Sequence, residues 1–210
     1  MRPPTAKGAA ARSKILDAAA SLFHRHGVHG TSVDDILDAC GAGKSQFYHY
    51  FSSKEELVSD VVHLQMRRVL EQISPALEQV ERFEDLALWR EALVRLVAWT
   101  RNLGCPIGIV ALECPDSDLA RKAVQQALSD WAELHGQTLA RLKKRGEFTP
   151  EFRPGEAARF AGTVLQGAML LGRAFQDPEL VVASLDAYLT YLERFRATGR
   201  AGTRPARPRG

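Results

Sequence analysis

Apolar side chains return every three or four positions along almost the whole chain, and this spacing restricts the possible fold more than any other feature. The period is clear from Ile15 to Phe23, and longer apolar stripes run over residues 86–100 and 119–142. Such a period places the apolar groups on one side of an α-helix. No alternation of apolar and polar residues persists beyond a few positions, and no hairpin signal is present. We therefore expect an all-α fold of about nine helices without a sheet.

Glycine, proline and capping residues indicate where these helices begin and end. Gly27 should stop the first long helix, and Ser53 should cap the start of another long helix. We expect that second helix to end near residue 73, because proline within a helix removes a backbone hydrogen bond and Ser74-Pro75 follows there. Residues 198–210 consist of Arg, Gly, Pro, Ala and Thr and cannot build a core.

Composition limits the class of protein and its location. Of the 210 residues, 45% are hydrophobic and 25% are charged, which is usual for globular domains. No apolar run reaches the roughly 18 residues that a membrane span needs, and the N-terminal residues do not form a secretory signal. We therefore expect a cytoplasmic protein with no membrane partner. The cysteines Cys40, Cys105 and Cys114 form no C-x-x-C pair, so neither a disulfide framework nor a zinc ribbon is expected.

The small net charge of +3 conceals a strong asymmetry along the chain. Residues 1–54 carry seven Lys and Arg against four Asp and Glu, whereas residues 55–193 carry fifteen against twenty-one. Residues 194–210 carry six arginines and no acid. This distribution suggests an anion-binding N-terminal module on an acidic body.

Residues 32–51 have the form helix, glycine-containing turn, helix, which is the helix-turn-helix pattern of many DNA-binding proteins. Ser32 to Asp35 forms a capping box, and Gly41 and Gly43 let two short helices cross closely. Phe47 and Phe51 should anchor the second helix. Its other side then carries polar groups that can reach bases and phosphates.

Three other motifs in this part of the chain have less support. The run Gly41 to Ser45 is similar to the end of a phosphate-binding loop, but the full motif needs glycine where Asp38 stands. A zinc site at His24, His26 and His29 is disfavoured relative to a solvated helix end, because one helix cannot present both His24 and His26 to one metal. We find no catalytic constellation, and we expect neither an enzyme nor a cofactor or metal.

The segment from Ile15 to Leu57 resembles the DNA-binding domain of TetR-type transcriptional repressors. The residues that carry this resemblance are Ile15, Ala18, Leu22, Phe23, Gly27, Thr31, Val33, Ile36, Gly41, Lys44, Tyr48, Phe51, Lys54 and Leu57. The chain departs from the family pattern at Gly43, Ser45 and Tyr50, so the operator sequence of another member cannot be transferred to it.

The resemblance implies a DNA-binding domain over residues 1–54, a ligand-binding and dimerisation domain over 55–197, and a basic tail over 198–210. It implies a homodimer, formed through residues 155–195, that binds a palindromic double-stranded DNA operator and leaves it when a small-molecule inducer binds. The implied DNA-binding residues are Thr31, Ser32, Lys44, Ser45, Gln46, Tyr48, His49, Tyr50 and Lys54. Of these, Lys44, Ser45, Gln46 and His49 would read bases, while a solvated helix face is the alternative.

The resemblance also places the inducer among the helices of the second domain. Candidate pocket residues are His63, Met66, Trp99, Cys105, Trp131, His135, Gln166 and Met169. Aromatic side chains at helical spacing are more often part of a core, and this alternative stays open. A second hypothesis is a redox- or electrophile-sensing repressor that acts through Cys105, although a free cysteine at a helix break is more often a small buried residue.

Overall fold

The computed structural model describes residues 6–99 and 104–197. Within these ranges the chain forms nine α-helices and one short 3₁₀ turn, and it contains no strand beyond one isolated bridge between Phe148 and Arg196. The prediction of an all-α fold of about nine helices is confirmed. The helices are α1 (Ala6–His26), α2 (Val33–Cys40), α3 (Lys44–Tyr50), α4 (Lys54–Glu78), α5 (Leu86–Trp99), α6 (Pro106–Glu113), α7 (Asp118–Lys144), α8 (Pro154–Phe175) and α9 (Glu179–Glu193).

The observed end of α4 differs from the predicted one. It runs through Pro75 and ends at Glu78, instead of stopping near residue 73. Proline lacks its own N–H and its ring crowds the carbonyl four residues earlier, so its place near the helix end costs roughly 3 kcal/mol. Ile73 and Leu77 lie on either side of Pro75 and are almost fully buried. Burial of these two side chains offsets the lost bond and holds the last turn in place.

The contacts between the helices divide them into two groups. Helices α1, α2 and α3 form a small N-terminal group, and α4 runs from this group into the body. In the body α4 packs against α5, α6 and α7, while α8 lies between α7 and α9. Trp89 and Leu93 of α5 are completely buried at the centre. The body is thus a helical scaffold from which the N-terminal group projects along α4.

Several parts of the chain fall outside this description. The basic tail predicted over residues 198–210 lies outside the described residues, and so does the side chain of Trp99. Within residues 6–99 and 104–197, no helix has both the length and the apolar character that crossing a bilayer would require.

Candidate functional site

The turn between α2 and α3 fixes the orientation of the second helix. The Ser32 hydroxyl accepts a hydrogen bond from the Asp35 N–H, and the Asp35 carboxylate accepts one from the Ser32 N–H at 2.7 Å. The Ser32 hydroxyl also donates to the Asp35 carboxylate at 2.6 Å, and this bond, together with the one from the Ser32 N–H, lowers the pKa of Asp35. Gly41 ends α2 with a φ of +67°, a conformation that glycine adopts without strain. Phe47 and Phe51 are buried, with ring centroids 5.5 Å apart, and they attach α3 to the core.

The opposite side of α3 presents its polar groups to solvent. Tyr48 is 62% exposed, although it is aromatic. Tyr50 is half-buried and packs edge-on against the His49 ring. The same side also exposes Lys44, Ser45, Gln46 and His49. The structure therefore brings most of the predicted DNA-binding residues onto one surface, which we call the α3 face.

Lys44 forms an exposed ion pair in the absence of DNA. Its ammonium nitrogen lies 3.0 Å from a carboxylate oxygen of Asp34 on α2, and this contact raises the pKa of Lys44. Both side chains are more than 60% exposed. Exposed pairs of this kind contribute little to stability, so a DNA phosphate could replace Asp34 as the partner at low cost.

Two predicted DNA-binding residues make their contacts within the N-terminal group. Thr31 is 1% exposed, and its hydroxyl donates to the Gly27 carbonyl at 2.8 Å, so it stabilises the turn in this structure and its contact with DNA stays a prediction. The ammonium group of Lys54 donates to the Val28 carbonyl at 2.6 Å and lies over the Phe23 ring. Ser32 is exposed, but its hydroxyl belongs to the α2 cap.

A large cavity opens between the N-terminal group and the body. It has a volume of about 880 Å³ and is bounded by α1, α4, α5, α6, α7 and α8. This volume is within the range of sites that hold drug-sized ligands. The predicted pocket residues that line it are Met66, Cys105, Trp131, Gln166 and Met169. Helix α1 supplies part of the wall through Asp17, Ser21, His24 and Arg25, which sequence reasoning missed.

The spacing of these α1 residues contained a signal for the missed wall. They recur at three and four positions, as residues on a second side of an amphipathic helix do. The first side, which includes Ile15 and Phe23, is buried in the N-terminal group. Helix α1 therefore packs into the N-terminal group on one side and forms part of the cavity wall on the other.

Two predicted pocket residues do not line the cavity. His63 is half-buried on α4 away from the wall. His135 is completely buried, with its ring stacked on Trp89 at 4.2 Å between centroids. The structure therefore does not bring these two residues to the cavity, because the neighbouring helices cover the side of α7 that holds His135 and leave Trp131 at the wall.

The buried His135 is uncharged. Burial lowers its pKa to about 3. The Tyr188 hydroxyl donates its only proton to the Ala157 carbonyl, so the His135 Nε2 must be the donor in its 3.0 Å contact with the Tyr188 oxygen. This leaves Nδ1 as an acceptor with no partner among the described residues.

Helix α6 connects the cavity to the turn that precedes α2. At its start, Cys105 and Pro106 line the cavity, and the His24 Nε2 contacts the Gly104 carbonyl at 3.1 Å. At its end, the Glu113 carboxylate accepts hydrogen bonds from the backbone N–H groups of Val28 and His29, at 2.6 and 3.0 Å. Both ends of α6 are thus attached to α1 or to the turn after it.

The start of α6 also determines the surroundings of Cys105. Its sulfur accepts hydrogen bonds from the Gly108 N–H at 3.4 Å and from the Gln166 side-chain amide at 3.3 Å. Gln166 lines the cavity as well, so this polar contact is part of the wall. In contrast, burial raises the pKa of the Cys114 thiol, which disfavours its reactive thiolate form.

Helix α8 leaves a large apolar surface uncovered. Phe160, Leu170, Leu171 and Phe175 are between 42% and 70% exposed. A side-chain carbon at Gly167 would meet nothing within 4 Å, whereas one at Gly162 would contact Trp131 and one at Gly172 would contact Asp177. The glycines of this helix are therefore divided between an inner and an outer side. The predicted dimerisation through residues 155–195 stays a prediction.

Comparison with known proteins places the chain in a family. Residues 15–61 match the family model "Bacterial regulatory proteins, tetR family", and residues 80–183 match "Transcriptional regulator LmrA/YxaF-like, C-terminal domain". The chain belongs to the TetR family of transcriptional regulators. As a member of this family it is a helix-turn-helix DNA-binding regulator, which agrees with the resemblance read from Ile15 to Leu57.

Relatives match over most of their length. An uncharacterised helix-turn-helix regulator of Lactococcus lactis subsp. lactis is 29% identical over 87% of this chain and 93% of its own. The regulator LmrA of Bacillus subtilis is also 29% identical, over 76% of this chain and 85% of its own. A TetR regulator of Chloroflexus aurantiacus with a solved structure superposes with a TM-score of 0.79 at 24% identity, covering 91% of this chain and 98% of its own. That superposition supports the fold of this TetR-family chain.

Proposed function

We propose that this TetR-family regulator is a repressor whose α3 face binds a specific DNA operator. The observation that carries the proposal is the arrangement of α3. Phe47 and Phe51 are buried while Lys44, Gln46 and Tyr48 are exposed on a rigid helix. Gln46 can pair with adenine and Lys44 with guanine in the major groove, and Tyr48 can contact a phosphate.

The proposal includes a homodimer that holds two α3 faces toward one side of the DNA. The exposed apolar surface of α8 supports it, because apolar surfaces of this kind usually mark an interface. Two half-sites would then lie about 34–36 Å apart, or a multiple of that distance. A palindromic operator follows from the two-fold symmetry of such a dimer. The division between a DNA-binding part at residues 1–54 and a ligand-binding and dimerisation part at 55–197 belongs to this proposal.

A small-molecule inducer in the cavity would release the operator. Two features support this part of the proposal. The α1 helix of the DNA-binding group forms part of the cavity wall. Helix α6 runs from that wall to the Glu113 bonds at Val28 and His29. A ligand that moves α6 would therefore shift the turn before α2, and it needs only a differential affinity of a few kcal/mol for the two arrangements.

Operator selection tests the DNA-binding part. A pool of random duplex DNA is enriched on the purified full-length protein, and the selected sites are sequenced and footprinted. We expect a palindromic site protected on one face of the duplex. If no sequence is enriched over the starting pool at moderate salt, the regulator has no specific operator of its own and the proposal is wrong.

Fluorescence anisotropy of the selected operator tests release. N-phenyl-1-naphthylamine is an uncharged dye that fluoresces when an apolar cavity takes it up. We expect its binding to lower operator affinity at least several-fold. Dye binding in the cavity without any change in operator affinity would contradict ligand-controlled release.

The second candidate is a thiol-sensing repressor that acts through Cys105. The observation in its favour is that Cys105 stands in the cavity wall with two N–H groups directed at its sulfur. Treatment with N-ethylmaleimide should then release the operator from the wild-type protein and not from Cys105→Ser. Equal release from both proteins, or from neither, would exclude this candidate.

In either form the protein would act on chromosomal DNA, and we propose a cytoplasmic location. The relatives described above are named as regulators rather than enzymes. No catalytic role is part of the proposal.

A further inference from the structure

The cavity wall changes in character from the inside to the mouth. Every wall residue that is buried is apolar, and among these are Leu93, Leu96, Ile107, Trp131 and Met169. The charged wall residues are all exposed or half-buried. A ligand that satisfies both parts must have an apolar body and a polar or charged end.

The charges at the mouth are mainly positive. The wall contains Arg25, Arg68 and Arg159. Asp17, the one carboxylate among the described wall residues, is already paired with Arg68. Among the described residues, no carboxylate lies within ion-pairing distance of Arg25 or Arg159. The mouth therefore has two guanidinium groups available for an anion.

This positive mouth contrasts with the rest of the body. Residues 55–193 contain twenty-one acidic residues against fifteen Lys and Arg. Among the described wall residues, Arg68 and Arg159 come from this part of the chain, and none of its acids lines the cavity. The excess of arginine in the wall is thus opposite to the balance of the body, while Arg25 and Asp17 of the wall belong to α1. Its field would attract anions and repel cations at the entrance.

We propose that the cavity binds an amphipathic anion, with an apolar body on the buried floor and an anionic group near Arg25 and Arg159. Guanidinium groups hold carboxylates, sulfonates and phosphates through charge-assisted hydrogen bonds, often in pairs. The inference rests on the proposed function only in taking this cavity as the ligand site. Release of DNA is not needed for it.

Two matched dyes test the charge preference. The dye 8-anilinonaphthalene-1-sulfonate has the same ring skeleton as N-phenyl-1-naphthylamine and differs by one sulfonate. Both are titrated into the full-length protein without DNA, and binding is followed by dye fluorescence. We expect the affinity for the sulfonate dye to fall as salt rises, because exposed charges are screened, while the affinity for the neutral dye changes little.

Substitutions at the mouth test whether Arg25 and Arg159 cause the preference for the sulfonate dye. Arg25→Gln and Arg159→Gln should each raise the Kd of the sulfonate dye about threefold to fivefold, and the double variant about tenfold, as expected for partly exposed ion pairs. The Kd of the neutral dye should stay within about twofold. Arg67→Gln is the matched control, since Arg67 is an exposed α4 residue next to Arg68 but outside the wall. It should change neither Kd.

A cavity-filling variant shows where the dyes bind. Ala132 lines the cavity and is half-buried, so Ala132→Trp should weaken both dyes. If circular dichroism shows that this variant does not fold, Ser129→Trp, at an exposed wall position, replaces it.

The outcomes separate this inference from the proposed function. Equal losses for both dyes in the arginine variants, or no loss for either, would overturn the anion preference. Undiminished dye binding in the filled cavity would overturn the site. Selective binding of the sulfonate dye without operator release would uphold this inference and contradict only ligand-controlled release.

Discussion

The α3 face and the cavity differ in which side chains they expose and which they bury. The α3 face exposes polar groups on a helix whose other side is buried through Phe47 and Phe51. The cavity instead encloses apolar groups from six helices and keeps its charges at the mouth. Side chains on the α3 face can therefore be replaced with little effect on the free energy of unfolding, whereas most side chains in the body contribute to function and to stability together. Five predictions examine this difference.

The largest effect should come from the α3 face. Lys44→Ala and Tyr48→Ala should each weaken operator binding roughly 100-fold in the dimer, because each substitution removes contacts worth about 1–3 kcal/mol at both half-sites. The free energy of unfolding should change by less than about 0.5 kcal/mol, as is usual for exposed residues.

Operator anisotropy and urea unfolding measure the two quantities. Lys122→Ala is a suitable control, since Lys122 is an exposed lysine of the body. Wild-type operator affinity in either α3 variant would remove that residue from the site. A large loss of stability would show that the α3 face is not separable from the core.

The body should respond to pH through His135. Its folded pKa of about 3 is below the ordinary value of 6.5, so the folded state binds fewer protons than the unfolded state between these values. Its contribution to stability is therefore complete above about pH 6.5 and is lost as pH falls toward 3. Between pH 7 and pH 5 the expected loss is about 2 kcal/mol.

Urea unfolding of wild type and His135→Phe, at fixed protein concentration, measures this pH-dependent loss of stability. The phenylalanine ring keeps the stacking on Trp89 and cannot be protonated. The stability of the variant should depend less steeply on pH over this range. Parallel pH profiles for the two proteins would show that His135 is not the titrating group.

These two regions also differ in how far the sequence predicts them. The α3 face lies within one segment of twenty residues, where capping residues, glycines and two phenylalanines determine the local structure. The burial of Thr31 could not be predicted, because it depends on the fold of the Gly27 turn, where its hydroxyl is bonded. The all-α fold itself followed from the helical period, whereas the end of α4 beyond Pro75 was placed wrongly.

The cavity could be predicted only in part, because its wall depends on which helices become neighbours. His135 and Trp131 are on the same helix, and only packing against Trp89 of α5 and Tyr188 of α9 decides that His135 faces away from the wall. The spacing of the α1 wall residues marks a second side of that helix, but it does not indicate which helices that side faces. That depends on long-range packing, which a single sequence does not record.

Assembly provides a third way to compare the regions. Gly167→Leu places a large side chain on the outer side of α8, where the isolated subunit offers open space. If this surface is the dimer interface, overpacking should weaken the dimer by about 1–3 kcal/mol and reduce operator affinity with it. Sedimentation at several concentrations measures the dimer. An unchanged dimer would show that the interface lies elsewhere.

The link between the two regions should be sensitive to Glu113. Glu113→Gln removes the charge that strengthens the bonds to the Val28 and His29 N–H groups, at 2.6 and 3.0 Å. Hydrogen exchange of these two amides should accelerate about fivefold to tenfold, since charge-assisted bonds are about twice as strong as neutral ones. Asp116→Asn, at an exposed acid beyond the end of α6, is the control. Unchanged exchange at both amides would show that α6 is not coupled to the turn by this carboxylate.

The smallest effect concerns the basic tail, which contains Arg200, Arg204, Arg207 and Arg209. If these arginines contact phosphates, each neutralised phosphate adds roughly 0.9 to the slope of log K against log salt. Deletion of residues 198–210 should then weaken binding to operator and to random DNA by similar factors, because phosphate contacts carry no sequence information. The preference for the operator should stay nearly constant, in contrast to the α3 variants, which lose it. A salt titration of the full-length and truncated proteins decides the matter, since identical slopes would mean that the tail does not touch DNA and that the α3 face acts alone.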